Sequence, residues 1–257
     1  FVLYMAGSGV TADLVLQMRD GTTETLVSQV QGLNISLDGS WIGYRKEAPG
    51  AYGDVILQAV QRAGDTVSFG EPMDMTQSGK GSEPVIFPDN RRLAFYEKGD
   101  EPGTGATMIV DMASGEKFAF SDANGCSHGT VNYSGTRYFC QDGHDVYLRD
   151  FSWSGWSELV PRAFPAVSME DFPECDSVRY GHPRYCGDDS HVIIGVSCVQ
   201  DSETVSSELI LFEWDGRDDG KPVLFVSRAI SEFLGSSHSQ SRTVMCSDAR
   251  TVFTPDP

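Results

Sequence analysis

The sequence predicts an all-β chain folded as a β-propeller of four-stranded antiparallel blades. Three observations carry that expectation. A hairpin pattern recurs at a step of roughly 50 residues. Twenty-seven glycines and 12 prolines in 257 residues leave room for many short strands but few long helices. No window sustains an apolar period of 3.6 with caps; residues 229–234 offer at most one helical turn.

The repeat is read first from its hairpins. Five segments run from a short apolar stretch through a tight polar turn into a second apolar stretch. They are LNISLDGSWIGYR from Leu33, PVIFPDNRRLAFYE from Pro84, GTVNYSGTRYFCQ from Gly129, PRYCGDDSHVIIGV from Pro183 and RTVMCSDARTVFT from Arg242. Asp38, Asp89, Ser134, Asp188 and Asp248 mark the turns. A third run follows each of the first four hairpins: DVILQAV at Asp54, TMIVDMA at Thr107, DVYLRDF at Asp145 and ELILFEW at Glu208; ADLVLQMRDG at Ala12 is another. A glycine turn and a fourth short strand come next, as in ASGEKFAF from Ala113. One such unit alone cannot bury both faces of its sheet, whereas stacking against neighbours does. Runs such as VIIGV and LILF lack strict alternation, as expected of strands covered on both sides.

With strands lettered a to d outward from the axis, the count is six b strands but five each of a and c. A six-bladed propeller fits, with the terminal blades incomplete and residues 1–257 forming a single domain. Five blades closed by joining the ends would leave Phe1–Met5 and Thr251–Thr254 competing for one place. The chain opens on Phe1 with no signal-like segment after it, so it reads as a piece of a longer protein.

VIFPDNRRLAFYE and TMIVDMASGEKFAF resemble the repeat of TolB-type propellers, whose units run strand, Pro-Asp-Gly turn, strand, then strand, Asp and Thr-Gly turn. The resemblance spans essentially the whole chain. Among the turns only Asp38-Gly39 keeps Asp-Gly; the others have Asp-Asn, Ser-Gly, Asp-Ser and Asp-Ala. It implies a fold more than a task, since related repeats serve envelope scaffolds, peptidase gates and lyases.

Charge narrows the partners. Nineteen Lys and Arg against 37 Asp and Glu give a formal charge of −18, which repels nucleic acid and anionic lipid. No apolar run approaches the ~18–20 residues that a membrane helix needs. The 40% hydrophobic content supplies a substantial core, so disorder is excluded.

Several chemical motifs fail on context. Gly125-Cys-Ser127-His-Gly129 matches the nucleophile elbow, yet that elbow needs a strand before it and a helix after it, and here a strand follows. Asp215 to Gly220 imitates a calcium loop, but Arg217 holds its third position and Val226 its twelfth. Asn34-Ile-Ser36 and Asn132-Tyr-Ser134 match the glycosylation acceptor on innermost strands where no glycan fits. Trp153 and Trp156 flank Ser154-Gly155, which predicts a facing cross-strand pair on a tight turn, or an exposed platform for a sugar or a partner loop.

The repeat register selects one constellation. Six residues before the turn markers stand Gly32, Glu83, His128, His182 and Arg242. These positions are expected to open strand a at the mouth of the central channel. The expectation is a polar binding mouth of Glu83, His128, His182 and Arg242 with no cofactor. The alternative is one divalent ion on the axis held by Glu83, His128 and His182. Certain metal-dependent oligogalacturonate lyases are similar, with His182-Pro183 echoing their motif, although an acidic chain is an awkward host for a polyanionic substrate.

All six cysteines lie in the second half and no Cys-x-x-Cys occurs. Hairpin pairing about Ser134-Gly135 and Asp188-Asp189 brings Cys140 opposite Gly129 and Cys198 opposite Arg179. Cys126 and Cys175 then lie just beyond, suggesting disulfides Cys126–Cys140 and Cys175–Cys198. Cys186 and Cys246, at matching ends of neighbouring a strands, form a third candidate pair. Disulfides, acidity and a preference for Arg over Lys predict an extracytoplasmic protein, periplasmic, cell-surface or secreted. The reading that results is a non-catalytic scaffold propeller of a bacterial envelope or secreted assembly, with a protein partner. Its rivals are a metal-dependent carbohydrate lyase and a gating propeller joined to a hydrolase.

Overall fold

A computed structural model describes residues 2–6, 12–47, 52–64, 66–76, 79–101, 104–120, 126–142, 147–153, 159–165, 173–185, 189, 191–213, 223–227, 246–247 and 250–251. Every regular element among them is a strand, and the pairings are antiparallel throughout. The chain divides into two compact units, Phe1–Gly125 and Cys126–Pro257.

In the first unit β1 (Val2–Ala6) pairs with β2 (Ala12–Gln17), which pairs with the long β3 (Thr23–Ile35). β3 joins two sets of strands within one eleven-stranded antiparallel sheet. Its first half closes the set begun by β1, and from Val30 onward it pairs with β4 (Trp41–Glu47). β5 (Gly53–Ala63) lies beside β4 and carries the short β6 (Thr66–Phe69) and β7 (Met73–Asp74) on its outer side. β8 (Gly81–Ile86), β9 (Arg92–Lys98), β10 (Gly105–Asp111) and β11 (Lys117–Ala119) follow as four consecutive antiparallel strands.

Side chains alternate across a strand, so a strand stacked on both faces feeds two cores. β5 does so: Val55 and Leu57 join Ile86, Leu93, Phe95 and Val110, while Ile56 joins Leu14, Val30, Ile42 and Tyr44. That is the physical reason for the unbroken apolar run VIL. Burying a side chain of this size contributes ~1.5–3 kcal/mol, so these two clusters hold the neighbouring sets of strands against β5.

The second unit repeats the plan. β12 (Cys126–Val131), β13 (Arg137–Asp142), β14 (Tyr147–Trp153) and β15 (Leu159–Pro165) form one four-stranded sheet. β16 (Ser177–Tyr185), β17 (His191–Gln200), β18 (Glu203–Glu213) and β19 (Val223–Ser227) form another. β20 (Cys246–Ser247) and β21 (Arg250–Thr251) make a final two-stranded pair. Ser127 lies within β12 opposite Gln141, a setting without the strand-to-helix turn of a nucleophile elbow. Asn132 is 1% exposed and its amide donates to Ser134 Oγ and Thr136 Oγ1, so it is closed to a glycan. Asn34 is likewise engaged, its side-chain oxygen accepting from the Ile86 N–H at 2.9 Å.

Two expectations are corrected by register. Trp153 stands opposite Leu159, whereas a two-residue turn at Ser154-Gly155 calls for Trp156 in that place. Trp156 lies outside the described residues, as does the calcium-like loop at 215–220. Cys198 stands opposite Val178 rather than Arg179, because a bulge between Gly181 and Arg184 offsets the ladder by one. Cys175 and Cys198 form a disulfide with Cα atoms 5.4 Å apart. The backbones of Cys126 and Cys140 lie in β12 and β13, that of Cys246 lies in β20, and Cys186 is outside the described residues.

The hairpin turns share one geometry. Gly39 N–H donates to Ser36 O, Asn90 N–H to Phe87 O and Gly135 N–H to Asn132 O. The donor residue is in each case left-handed, with φ of +68° at Gly39, +53° at Asn90 and +69° at Gly135. The loops have four residues, closed by Ser36 N–H donating to Trp41 O and Phe87 N–H to Arg92 O, and are built on a tight turn followed by a left-handed residue. Asn is the side-chain-bearing residue that best tolerates this conformation, which accounts for Asp-Asn at Asp89-Asn90.

Candidate functional site: the bulge of the inner hairpin

Every complete inner hairpin carries a β-bulge at one register. Between Gln31↔Arg45 and Asn34↔Gly43, Gly32 and Leu33 face the single residue Tyr44. Between Ser82↔Tyr96 and Val85↔Ala94, Glu83 and Pro84 face Phe95. His128 and Gly129 face Cys140, and His182 and Pro183 face Ile194, in the same way. The positions that the repeat singles out are thus the first residues of equivalent bulges, inside their strands rather than at the strand starts. A bulge leaves one residue out of the ladder and re-aims its side chain. It also admits proline, which has no N–H to give, and so explains Pro84 and Pro183.

Glu83 is the informative member. Gly32 occupies the bulge with φ of +63°, the conformation glycine adopts at no steric cost. Glu83 adopts φ of +54° at the corresponding place, where a side chain carries a strain of order 1 kcal/mol. The two bulges also touch: a Cβ on Gly32 would stand 3.7 Å from Glu83 Cα and 3.5 Å from Pro84 Cδ. A Cβ would make only ordinary contact there, so glycine at 32 answers the left-handed backbone rather than a shortage of space, while a carboxylate is retained at 83.

Around Glu83 the end of this sheet bears groups that the repeat did not single out. Tyr52 and Tyr96 rings lie 6.2 Å apart at a tilt of 39°. Lys98 Nζ sits 4.9 Å over the Tyr52 ring, within cation–π range. Lys80 pairs with Asp100, holding that carboxylate below its usual range. Lys117 Nζ bridges Glu97 at 3.0 Å and the Thr76 carbonyl at 3.0 Å. Burial, and secondarily Tyr52, raises the Tyr96 phenol above its ordinary value. The rim sets two tyrosines, a residue type enriched at protein-binding surfaces, among Lys and carboxylate side chains of the kind found at the polar edge of such surfaces. Its sequence signal, tyrosine and lysine in FYEKGD and AYGD, is too dispersed to stand out.

Backbones of His128 and His182 lie at their bulges, and their side chains fall outside the description. Arg242 lies outside the described residues. Among the described residues no three His, Cys, Asp or Glu side chains come together to hold a metal ion. No described helix is long and apolar enough to cross a membrane.

No protein-family model matches the sequence, and no curated protein matches it. Solved structures do. TolB from Acinetobacter baumannii is similar at a TM-score of 0.51 and 16% identity, 88% of this chain matching 51% of that one. A protein from Lactobacillus plantarum reaches 0.57 at 11% identity, over 88% of this chain and 67% of its own. The β-propeller domain of Myceliophteria thermophila Cps50 (Swd1) reaches 0.50 at 12% identity, over 85% and 67%. The chain spans about half the length of TolB. Identities this low speak of fold, and in fold the chain is a TolB-like β-propeller.

Proposed function

We propose that residues 1–257 form one propeller domain, six-bladed with incomplete terminal blades, that binds a protein partner and catalyses nothing. The partner meets the bulge end of the inner hairpins: in the first unit it contacts Glu83 with Tyr52, Tyr96 and Lys98, and His128, His182 and Arg242 are the candidate contacts in the second. One observation carries the reading: Glu83 keeps a side chain in a left-handed bulge where glycine is easier. Backbone strain of that kind persists where the side chain has a use. The Cys175–Cys198 disulfide supports an extracytoplasmic setting, in an envelope or secreted assembly. Trp153 and Trp156 stand as secondary candidates for surface contact.

A photo-crosslinking amino acid at position 83 tests this in the source cell. A discrete protein adduct is expected from position 83 and none from the exposed turn position Asp20. Elemental analysis of protein purified without chelator supplies the opposing test. Stoichiometric metal, lost in His128→Ala or His182→Ala, would replace the scaffold reading with an axial-metal enzyme.

A further inference from the structure

We infer that the Tyr52 ring in the first unit is a seat for one basic side chain, Arg or Lys, of the protein partner. The inference rests on the partner-binding reading of this end of the strands. One observation carries it: the chain already seats a cation of its own there. Lys98 Nζ lies 4.9 Å from the centroid of the Tyr52 ring, within the range where an aromatic face attracts an ammonium or guanidinium group. Tyr96 widens the aromatic surface, its ring centroid 6.2 Å from that of Tyr52.

Strand pairing brings these groups together. Tyr52 precedes Gly53, whose partner Gly81 of β8 pairs in turn with Glu97 of β9. Ser82 pairs with Tyr96 on the next rung, one residue before Glu83. Tyr96 and Lys98 fall on one face of β9, the face on which both meet Tyr52. The seat thus lies where β5, β8 and β9 pair with one another.

Neighbouring charges decide what the seat prefers. Lys80 is paired with Asp100, and Lys117 with Glu97 and the Thr76 carbonyl. Lys98 is exposed and forms no ion pair among the described residues. A cation–π contact at an exposed site is weak, so another cation can take its place on the ring. Asp100 is 91% exposed, which keeps its carboxylate within reach of an incoming cation. At a formal charge of −18 the chain draws a basic segment rather than an acidic one. Arginine suits the seat best, because its planar group stacks on a ring while its N–H groups meet a carboxylate.

The test titrates the 1–257 chain with Nα-acetyl-arginine amide while the tyrosine ring signals are followed by NMR. The matching citrulline amide, of the same shape without the charge, is the control. Tyr52→Phe and Tyr96→Phe assign the signals, and the backbone amide spectrum checks that each variant is folded. Saturable shifts of the Tyr52 and Tyr96 rings are expected with the arginine compound and not with citrulline. Lys98→Met vacates the seat and should tighten binding about threefold, and Asp100→Asn should weaken it about threefold. No shift, equal shifts with both compounds, or weaker binding in Lys98→Met would overturn the inference. So would saturable binding of Nα-acetyl-glutamate amide that is lost in Lys98→Met, since Lys98 would then receive a carboxylate. A protein adduct from position 83 without an arginine response sinks the cation seat and leaves the partner reading standing. An arginine response without an adduct supports the seat and overturns the partner reading.

Discussion

Glu83 and Asp38 show how much one residue of the repeat settles. With φ of +54°, Glu83 should gain from losing its side chain. Glu83→Gly is expected to raise the denaturation midpoint by an amount equivalent to about 1 kcal/mol. A destabilised Glu83→Gly protein would show that the side chain serves packing instead. Asp38 accepts hydrogen bonds from the Ser40 hydroxyl and N–H, then from Ser36 and Asn90, which hold its pKa at about 2 against an ordinary 3.8. Asp111 sits at about 2 as well, chiefly through Arg91 and then the Ser114 and Ala113 N–H groups. Both values are depressed in the folded chain, so their stabilisation is full above pH ~4 and is lost as pH falls toward 2. Acid titration of stability should therefore be shallower in Asp38→Asn and Asp111→Asn than in the parent.

Between elements, the turns of successive hairpins clasp one another. Asn90 Nδ2 donates to Asp38 Oδ2 at 2.7 Å, and the Ser134 N–H donates to Asp189 Oδ1 at 3.1 Å. In each case the residue after one turn marker reaches back to the preceding marker, with donor and acceptor exchanged. Asn90→Ala removes the clasp and places alanine at φ of +53°, so a loss of ~1.5–2 kcal/mol is expected by urea denaturation. Asn90→Gly removes the same hydrogen bond but relieves the backbone, and should cost under ~0.5 kcal/mol. Equal losses would place the whole effect in the hydrogen bond. The Cys175–Cys198 bridge ties the segment before β16 to β17 across 23 residues of chain. Reduction, or Cys175→Ser with Cys198→Ser, should cost about 3 kcal/mol and make the second unit the first to lose structure in hydrogen exchange.

For the molecule as a whole, the charge of −18 is the governing quantity. It predicts that duplex DNA retains its gel mobility when mixed with the protein, even at low salt where screening is weakest. Retardation would require a basic patch that the composition gives no reason to expect. The same field predicts that a basic protein partner associates more slowly as ionic strength rises, measurable by stopped-flow fluorescence.

Much of the architecture was legible in the linear sequence because its causes are local. Strand alternation, turn chemistry and the recurrence of Asp38, Asp89, Ser134 and Asp188 each depend on a few neighbouring residues, and together they specify stacked antiparallel hairpins of the TolB-like propeller kind. The equal register of Gly32, Glu83, His128 and His182 was legible for the same reason. That those positions are bulges was not, since a bulge shows only when two strands are laid side by side and one has a residue too many. Register offsets also decided which residue stands opposite Cys198 and opposite Trp153. The tyrosine and lysine rim beside Glu83 arises from contacts between segments far apart in the chain. Local chemistry determined the repeat and its turns. The packing of one hairpin against the next decided where that repeat leaves a strained carboxylate.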